Sequence, residues 1–326
     1  MTDANSTMTV TEPEKVRRSP YSAIAPRLEQ WRRQFYYFRK SPLAVAGLII
    51  TAFFAFLAIF SPLLTTGNPY QMAINPFATN LIPWFSSWRY PLGTTYFGVN
   101  LLPAMIKAAR IDLAFSLAVV ATGAFVGVMV GAFAGYYGGL FDDILMRVTD
   151  VFFSVPYIIL AIAMIVVFTK SFKDVAGGIY TLLILSLIVI WWPTYARIVR
   201  GQVLSVRELK YVEAARASGA GALRVVFKHI IPNSMYPVFV QISLDVGTIV
   251  LLLANLDFIN IGISNITQPE WGNLATYFNY AQVGLTLALQ YPWTFIVPGM
   301  AILLYALGLN LLGDGIRDIL DPRMRR

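Results

Sequence analysis

Few residues in this chain of 326 could carry covalent or acid–base chemistry. There is one histidine, His229, and no cysteine, so the usual residues for a metal-ligand cluster or an activated nucleophile are missing. Disulfides are excluded as well. The phosphate-cradling pattern G-x-x-x-x-G-K-[ST] does not occur, nor does any Gly-Lys pair, and without that loop and lysine a chain cannot hold ATP in the usual way. Energy for any driven process must then come from an ion gradient or a partner. Two features remain. Asp245, Asn255 and Asn310 fall inside strongly apolar runs, where polar groups are costly and often line a transport pathway. The alternative for each is an interhelical hydrogen bond or a place nearer the headgroups. The second feature is Tyr211-Val-Glu-Ala-Ala-Arg-Ala-Ser-Gly219, a charged, small-residue stretch between two of the most apolar parts of the chain.

The elements that must position these residues are membrane spans. The chain is 57% hydrophobic and only 13% charged, whereas a soluble domain carries about 25% charge. Six apolar runs stand out, near 43–64, 113–136, 151–168, 179–196, 237–256 and 291–312, each close to the roughly 20 residues that cross a hydrocarbon core. Net charge is +8, and the positives have a membrane explanation that does not require nucleic acid. Lys15, Arg17, Arg18, Arg27, Arg32, Arg33, Arg39 and Lys40 precede the first run. Arg147 lies between the second and third. Arg200, Arg207, Lys210, Arg216, Arg224 and Lys228 follow the fourth, and Arg317, Arg323, Arg325 and Arg326 follow the sixth, while 257–290 has no Lys or Arg. With six spans all these groups share one side, and the positive-inside rule makes that side cytoplasmic. The expected fold is an all-α membrane protein of the cell membrane, multi-pass, with six transmembrane helices and both termini inside.

Along the chain, residues 1–26 are expected to form a disordered cytoplasmic tail. Leu28, Trp31, Phe35 and Phe38 recur at helical spacing among arginines, which predicts an interfacial amphipathic helix over 27–40 against membrane lipid; a plain basic anchor is the alternative. The first transmembrane helix covers 41–64 and is too long, and placed too late, to be a removable signal. An external loop is expected over 65–111, then a five-helix core over 112–314 with a cytoplasmic loop at 201–232, and a cytoplasmic tail over 315–326. Gly123, Gly127, Gly131 and Gly135 recur every four residues in the second span, so one face admits the close approach of another helix. Trp191, Trp192 and Trp293 stand near span ends, as interfacial anchors do.

The 4–5 loop has its own pattern. Ser205-Val-Arg-Glu208 has the form of a capping box and predicts a helix starting near Val206. Ser218-Gly219-Ala220-Gly221 can stop it. A second helix follows, with Leu223, Val226, Phe227 and Ile230 on one face and Arg224 and Lys228 opposite. Pro232 then opens the fifth span. Small side chains at Ala214, Ala215, Ala217 and Ser218 let another protein's groove close around the first helix, with Glu213 and Arg216 as charged contacts.

Glu213-Ala214-Ala215, Gly219 and Ile231-Pro232 resemble the EAA motif of ABC importer permeases. Pro91-Leu92-Gly93-Thr94, Gly135-Tyr-Tyr-Gly-Gly139 with Asp142, Met146-Arg147 and Asp150 agree with it. So do His229-Ile-Ile-Pro-Asn233, Trp271-Gly272-Asn273 and Asn310-Leu-Leu-Gly-Asp314-Gly-Ile-Arg317-Asp318-Ile-Leu-Asp321-Pro322. Over about residues 30–326 the chain is similar to the C-type transmembrane subunit of the oligopeptide/dipeptide/nickel group. The resemblance implies a type I importer transmembrane domain in which Glu213, Ala214, Ala215, Arg216 and Gly219 form a coupling helix. It also implies a second, homologous permease completing a heterodimeric pore, two ATP-binding subunits using ATP and Mg, and an extracytoplasmic solute-binding protein. This chain itself would bind no cofactor and catalyse nothing. Di- or oligopeptides are the expected cargo, with oligosaccharides or nickel as alternatives. The pattern departs at Thr95, Val99 and Asn100, and at Asn255 and Asp257-Phe-Ile-Asn260, which bears on substrate class. A stand-alone secondary transporter would be expected to show internal repeats, and none is evident between the halves. A purely structural scaffold leaves the organised loop without a purpose.

Overall fold

The computed structural model describes residues 36, 38–65, 81–86, 88–95, 98–175, 177–262, 269–280 and 289–320. The tail expected over 1–26 and most of the helix expected over 27–40 lie outside them, as do residues 321–326. Among the described residues the structure is helical, apart from turns and one isolated antiparallel pairing of Thr94 with Asn100.

Helix α1, Pro42–Leu64, starts where Ser41 accepts the Ala44 N–H on its hydroxyl and Pro42 fills the first turn, a position that needs no N–H. Helix α2, Leu101–Tyr137, is 37 residues long and is capped by the Asn100 side chain. The stretch expected to remain loop up to 111 is therefore helical from Leu101. Lys107 and Arg110 interrupt its apolar pattern, but Leu101, Ala104, Ala108 and Ala109 are buried against the bundle. Helices α3, Gly139–Ser154, and α4, Tyr157–Phe168, meet at an 88° bend. Pro156 forces it: Val155 before it is extended, with φ −108° and ψ 131°, as a residue preceding proline prefers. Then come α5, Gly178–Val206, α6, Lys210–Ala217, α7, Ala222–Val225, α8, Ile231–Ser234, and α9, Tyr236–Phe258. Helix α10, Trp271–Tyr280, precedes α11, Trp293–Leu320, which carries helix into the stretch expected to be tail from 315. By length and composition α1, α2, α5, α9 and α11 can each cross a membrane, and the bent α3–α4 pair makes a sixth if it is one span.

Packing rests on small residues. Between helices in lipid the hydrophobic effect offers little, so association depends on close backbone approach. Gly123 lies against Trp191, Gly127 against Trp192, Tyr195 and Ala196, Gly131 against Ala196, and Gly135 against Val203. The whole glycine face of α2 is thus laid along α5, and a Cβ at Gly127 or Gly131 would run into α5 backbone. Helices α9 and α11 form a second tight pair. A Cβ at Gly247 would come within 3.0 Å of the Ala306 Cα. Phe54, Trp271 and Tyr305 fill the centre with mutual edge-on contacts at 5.2, 5.5 and 5.6 Å.

Ion pairs fix the same stretch of α5 to α3. Arg200 donates from Nε and Nη2 to the two Asp142 oxygens, both at 2.6 Å, a bidentate fork. Arg197 donates to Asp150 and Thr149 and lies 3.9 Å over the Phe153 ring. The Asp142 side chain is 8% exposed.

Two measurements test this account. Gly127→Val and Gly131→Val should each destabilise the purified protein by about 1–3 kcal/mol, as overpacking does, and lower its thermal unfolding midpoint. Gly201→Ala, with nothing within reach of an added methyl, should leave the midpoint unchanged or higher. Arg200→Met strands a buried carboxylate and should lower the midpoint further than the double variant Arg200→Met/Asp142→Asn, in which neither charge remains.

Candidate functional site

The loop between α5 and α9 is built outward from its anchors. Helix α5 runs straight through Ser205 and ends at Val206, with Arg207 still helical at φ −65°. The capping box expected to start a helix at Val206 is therefore not formed. Tertiary contact decides it: Val203 and Val206 are buried, and Arg207 Nη1 donates 2.7 Å to the Gly135 carbonyl on α2. The turn falls later, at Leu209, which is extended.

Helix α6 follows as a short lever. Val212 is fully buried beneath it. The Arg216 guanidinium lies 4.9 Å over the Tyr136 ring of α2, and Tyr211 stands 6.5 Å from His229. Glu213, Ala214, Arg216 and Ala217 are all exposed, with Ala215 half-buried. Gly219 ends the helix at φ +82°. Its N–H donates to Arg216 O at 2.9 Å, and the Ala220 N–H donates to Ala215 O at 3.1 Å. These two bonds are the Schellman arrangement, so glycine is required here by geometry. Nothing else lies within 4 Å of the place where a Gly219 side chain would project. Glu213, Ala214, Ala215, Arg216 and Gly219 thus sit together on one small, firmly based, outward-facing element.

The next turns differ from the simple amphipathic helix expected there. A π-turn, Val226–Ile230, separates α7 from α8 and shifts the register. Val225, Val226 and Ile230 are buried, while Leu223 and Phe227 are 62% and 50% exposed. Phe227 meets Phe133 of α2 edge-on. Pro232 falls at the start of α8 rather than of the span, which begins at Tyr236.

The three polar residues in apolar runs are not gathered into one site. Asp245 is buried on α9 and accepts 2.9 Å from Gln241 Nε2. Asn255 and Asn310 are exposed, and Asn255 is ten residues, roughly 15 Å, further along the same helix. A second polar cluster escaped the sequence reading. Glu270, fully buried, caps α10 by accepting the Gly272 and Asn273 N–H groups, both at 2.8 Å. Asp112, buried on α2, accepts the Trp271 N–H at 3.1 Å, and the Trp271 indole donates 3.1 Å to Met105 O. The available signal was Pro269-Glu270, an acid one residue ahead of the Trp-Gly-Asn run. Asp112 stood just outside the span as drawn from the sequence.

Residues 127–326 match the family described as "Binding-protein-dependent transport system inner membrane component". Residues 29–90 match the N-terminal transmembrane domain of oligopeptide transport permease C. The chain is 34% identical to a dipeptide transport system permease protein of Alkalihalophilus pseudofirmus, over 94% of this chain and 92% of the relative. It is 34% identical to a probable D,D-dipeptide transport system permease protein of Escherichia coli, over 87% and 88%. An oligopeptide transport system permease protein of Bacillus subtilis matches at 32%, over 92% of each chain. With its apolar helices, its packed glycine faces and this likeness along almost its full length, the chain belongs to the family of binding-protein-dependent transport system inner membrane components and is a multi-pass protein of the cytoplasmic membrane.

Proposed function

We propose that this chain is the permease subunit of an ATP-driven importer of di- and oligopeptides, and that α6 is the element through which an ATPase partner moves it. The lever carries the reading. It is exposed on one side, pinned on the other through Val212 and the Arg216–Tyr136 contact, and joined at its base to both α2 and α5 through Arg207. A groove closing on Glu213–Ala217 would deliver its motion to two long helices rather than to a slack loop. The partner would hold ATP and Mg. A second, homologous permease would complete a heterodimeric pore, with two ATPases below and a solute-binding protein on the outer face.

In this reading the chain has six spans, the bent α3–α4 pair serving as the third, and both termini are cytoplasmic. The arginines support that side: Arg207 before α6 and Arg216 on it both meet the Gly135–Tyr136 end of α2, as the positive-inside rule requires of cytoplasmic segments. A nucleotide-bound partner acts by preferring one of two conformations, so ATP biases which side of the pore is open. The relatives are named for dipeptide, D,D-dipeptide, oligopeptide and glutathione transport, which favours peptides over oligosaccharides or nickel.

The test is reconstitution of the full complex. Glu213→Lys reverses the charge offered to the groove. Gly219→Pro cannot adopt φ +82° and removes the N–H that closes the cap. Both should abolish ATPase copurification or cut peptide uptake at least tenfold, the scale of a lost interface hot spot, while membrane insertion persists. Normal uptake and copurification in both variants, or solute transport by this chain purified alone, would overturn the reading.

A further inference from the structure

The first turn of α10 receives two acids at once. Asp112 of α2 accepts the Trp271 N–H on Oδ2 at 3.1 Å, and Glu270 accepts the Gly272 and Asn273 N–H groups on its two oxygens, both at 2.8 Å. Three successive N–H groups of one turn thus bring two carboxyl groups side by side, and both residues are fully buried. The fourth oxygen, Asp112 Oδ1, meets no N–H or hydroxyl donor, while the Asp112 side chain stands in hydrogen-bond contact with Glu270. An ionised carboxylate accepts hydrogen bonds and donates none, so two such groups can bond only through a proton.

The neighbours do not supply compensation of another kind. The charged group acting on Asp112 is Glu270, itself an acid. Tyr180 of α5 and Tyr305 of α11 face Asp112 with uncharged phenols, and the Tyr305 hydroxyl pairs with Ser116 at 3.3 Å. From α9 comes a third carboxyl group, Asp257, whose Oδ2 lies 2.9 Å from the point where a Gly272 Cβ would stand. Phe54 of α1 adds only a ring, packed on Trp271. The bonds also show which acid holds the proton. Both Glu270 oxygens already accept N–H groups at the positive end of a helix, which favours its ionised form. Asp112 Oδ1 is the atom without a donor.

We infer that Asp112 and Glu270 form a proton-binding site, in which a protonated Asp112 donates from Oδ1 to an ionised Glu270 and so holds α10 on α2. With the proton in place every oxygen of the pair has a partner, and the one remaining negative charge sits at a helix N-terminus. Without it two carboxylates face each other away from water, which like charges at close range oppose. The attachment under its control is narrow. Helix α10 lies chiefly on α9 and α11 and meets α2 only briefly, where the Trp271 indole bond to Met105 is the other tie. Loss of the proton loosens α10 from α2 and leaves the glycine seam between α2 and α5 as it is. The site belongs to this chain alone and does not rest on the importer reading.

The experiment is infrared spectroscopy of the full-length protein in lipid nanodiscs, with thermal unfolding alongside, at neutral and alkaline pH. Asp112→Asn keeps a donor facing Glu270 and an acceptor facing Trp271, whereas Asp112→Ala keeps neither. At neutral pH the wild-type protein should show the carbonyl stretch of a protonated carboxyl, and the difference spectrum against Asp112→Asn should assign it to that residue. Raising the pH should remove the band and lower the wild-type midpoint by several degrees, because the folded state holds a proton that the unfolded chain has already released. Asp112→Asn should match the wild-type midpoint at neutral pH and lack this fall, and Asp112→Ala should start lower. No Asp112 band at neutral pH, the result for two ionised carboxylates bridged by a water or a cation, would overturn the site. So would an Asp112→Asn midpoint that falls with pH as steeply as the wild type's, or a wild-type band that persists unchanged through alkaline pH while the midpoint falls.

Discussion

Everything else in the bundle hangs on the contact between the glycine face of α2 and the backbone of α5. Nothing but hydrogen separates the two helices at Gly127 and Gly131, and lipid provides no hydrophobic drive to hold them apart or together. The approach itself, with its dispersion contacts, is the attraction. It also sets geometry further along. Gly135, the last of the four, lies beside Val203, and that closeness places its carbonyl within reach of Arg207. A bulkier residue at Gly135 would push α5 away and leave Arg207 without its acceptor. The base of the lever is therefore located by packing inside the bundle. Its own sequence determines only how it ends.

How much of this could be read from residues alone follows from the range of the forces involved. The glycine spacing, the apolar runs and the Gly219 stop are local, and each was visible because period and backbone conformation are written in adjacent residues. The failures are also physical. Ser205-Val-Arg-Glu208 has a capping sequence, yet burial of Val203 and Val206 and the Arg207–Gly135 bond keep α5 going. Leu223 and Phe227 were placed on one face with Val226 and Ile230 by a 3.6-residue period, but they are exposed while Val226 and Ile230 are buried, and a π-turn at Val226–Ile230 breaks that period. Leu101–Arg110 precedes the apolar run near 113–136 and carries Lys107 and Arg110, although its alanines pack into the bundle. Pro156 was in plain view, but a proline says that a helix is interrupted, not that the two halves meet at 88°.

The two buried polar clusters show what sequence could not offer at all, since their members are far apart along the chain. Around Glu270 each carboxylate oxygen has a backbone donor, and Asp112 receives the Trp271 N–H. Helix α10 is thereby fastened to α2 by bonds that secondary structure alone would not make. An acid at a helix N-terminus also meets the positive end of the helix dipole. Trp271 then serves twice, donating its indole to Met105 and packing edge-on against Phe54 and Tyr305.

Asp245 on α9 is similarly buried and accepts from Gln241 of its own helix. A carboxylate that has found all its donors resists movement, since any shift exposes unpaired groups to a medium without water. Tight small-residue seams, α2 with α5 and α9 with α11, make parts that move as units. The seam between α5 and α9 is sparser. Tight seams alone would make a rigid bundle, so any relative movement of its helices concentrates at the sparser seam.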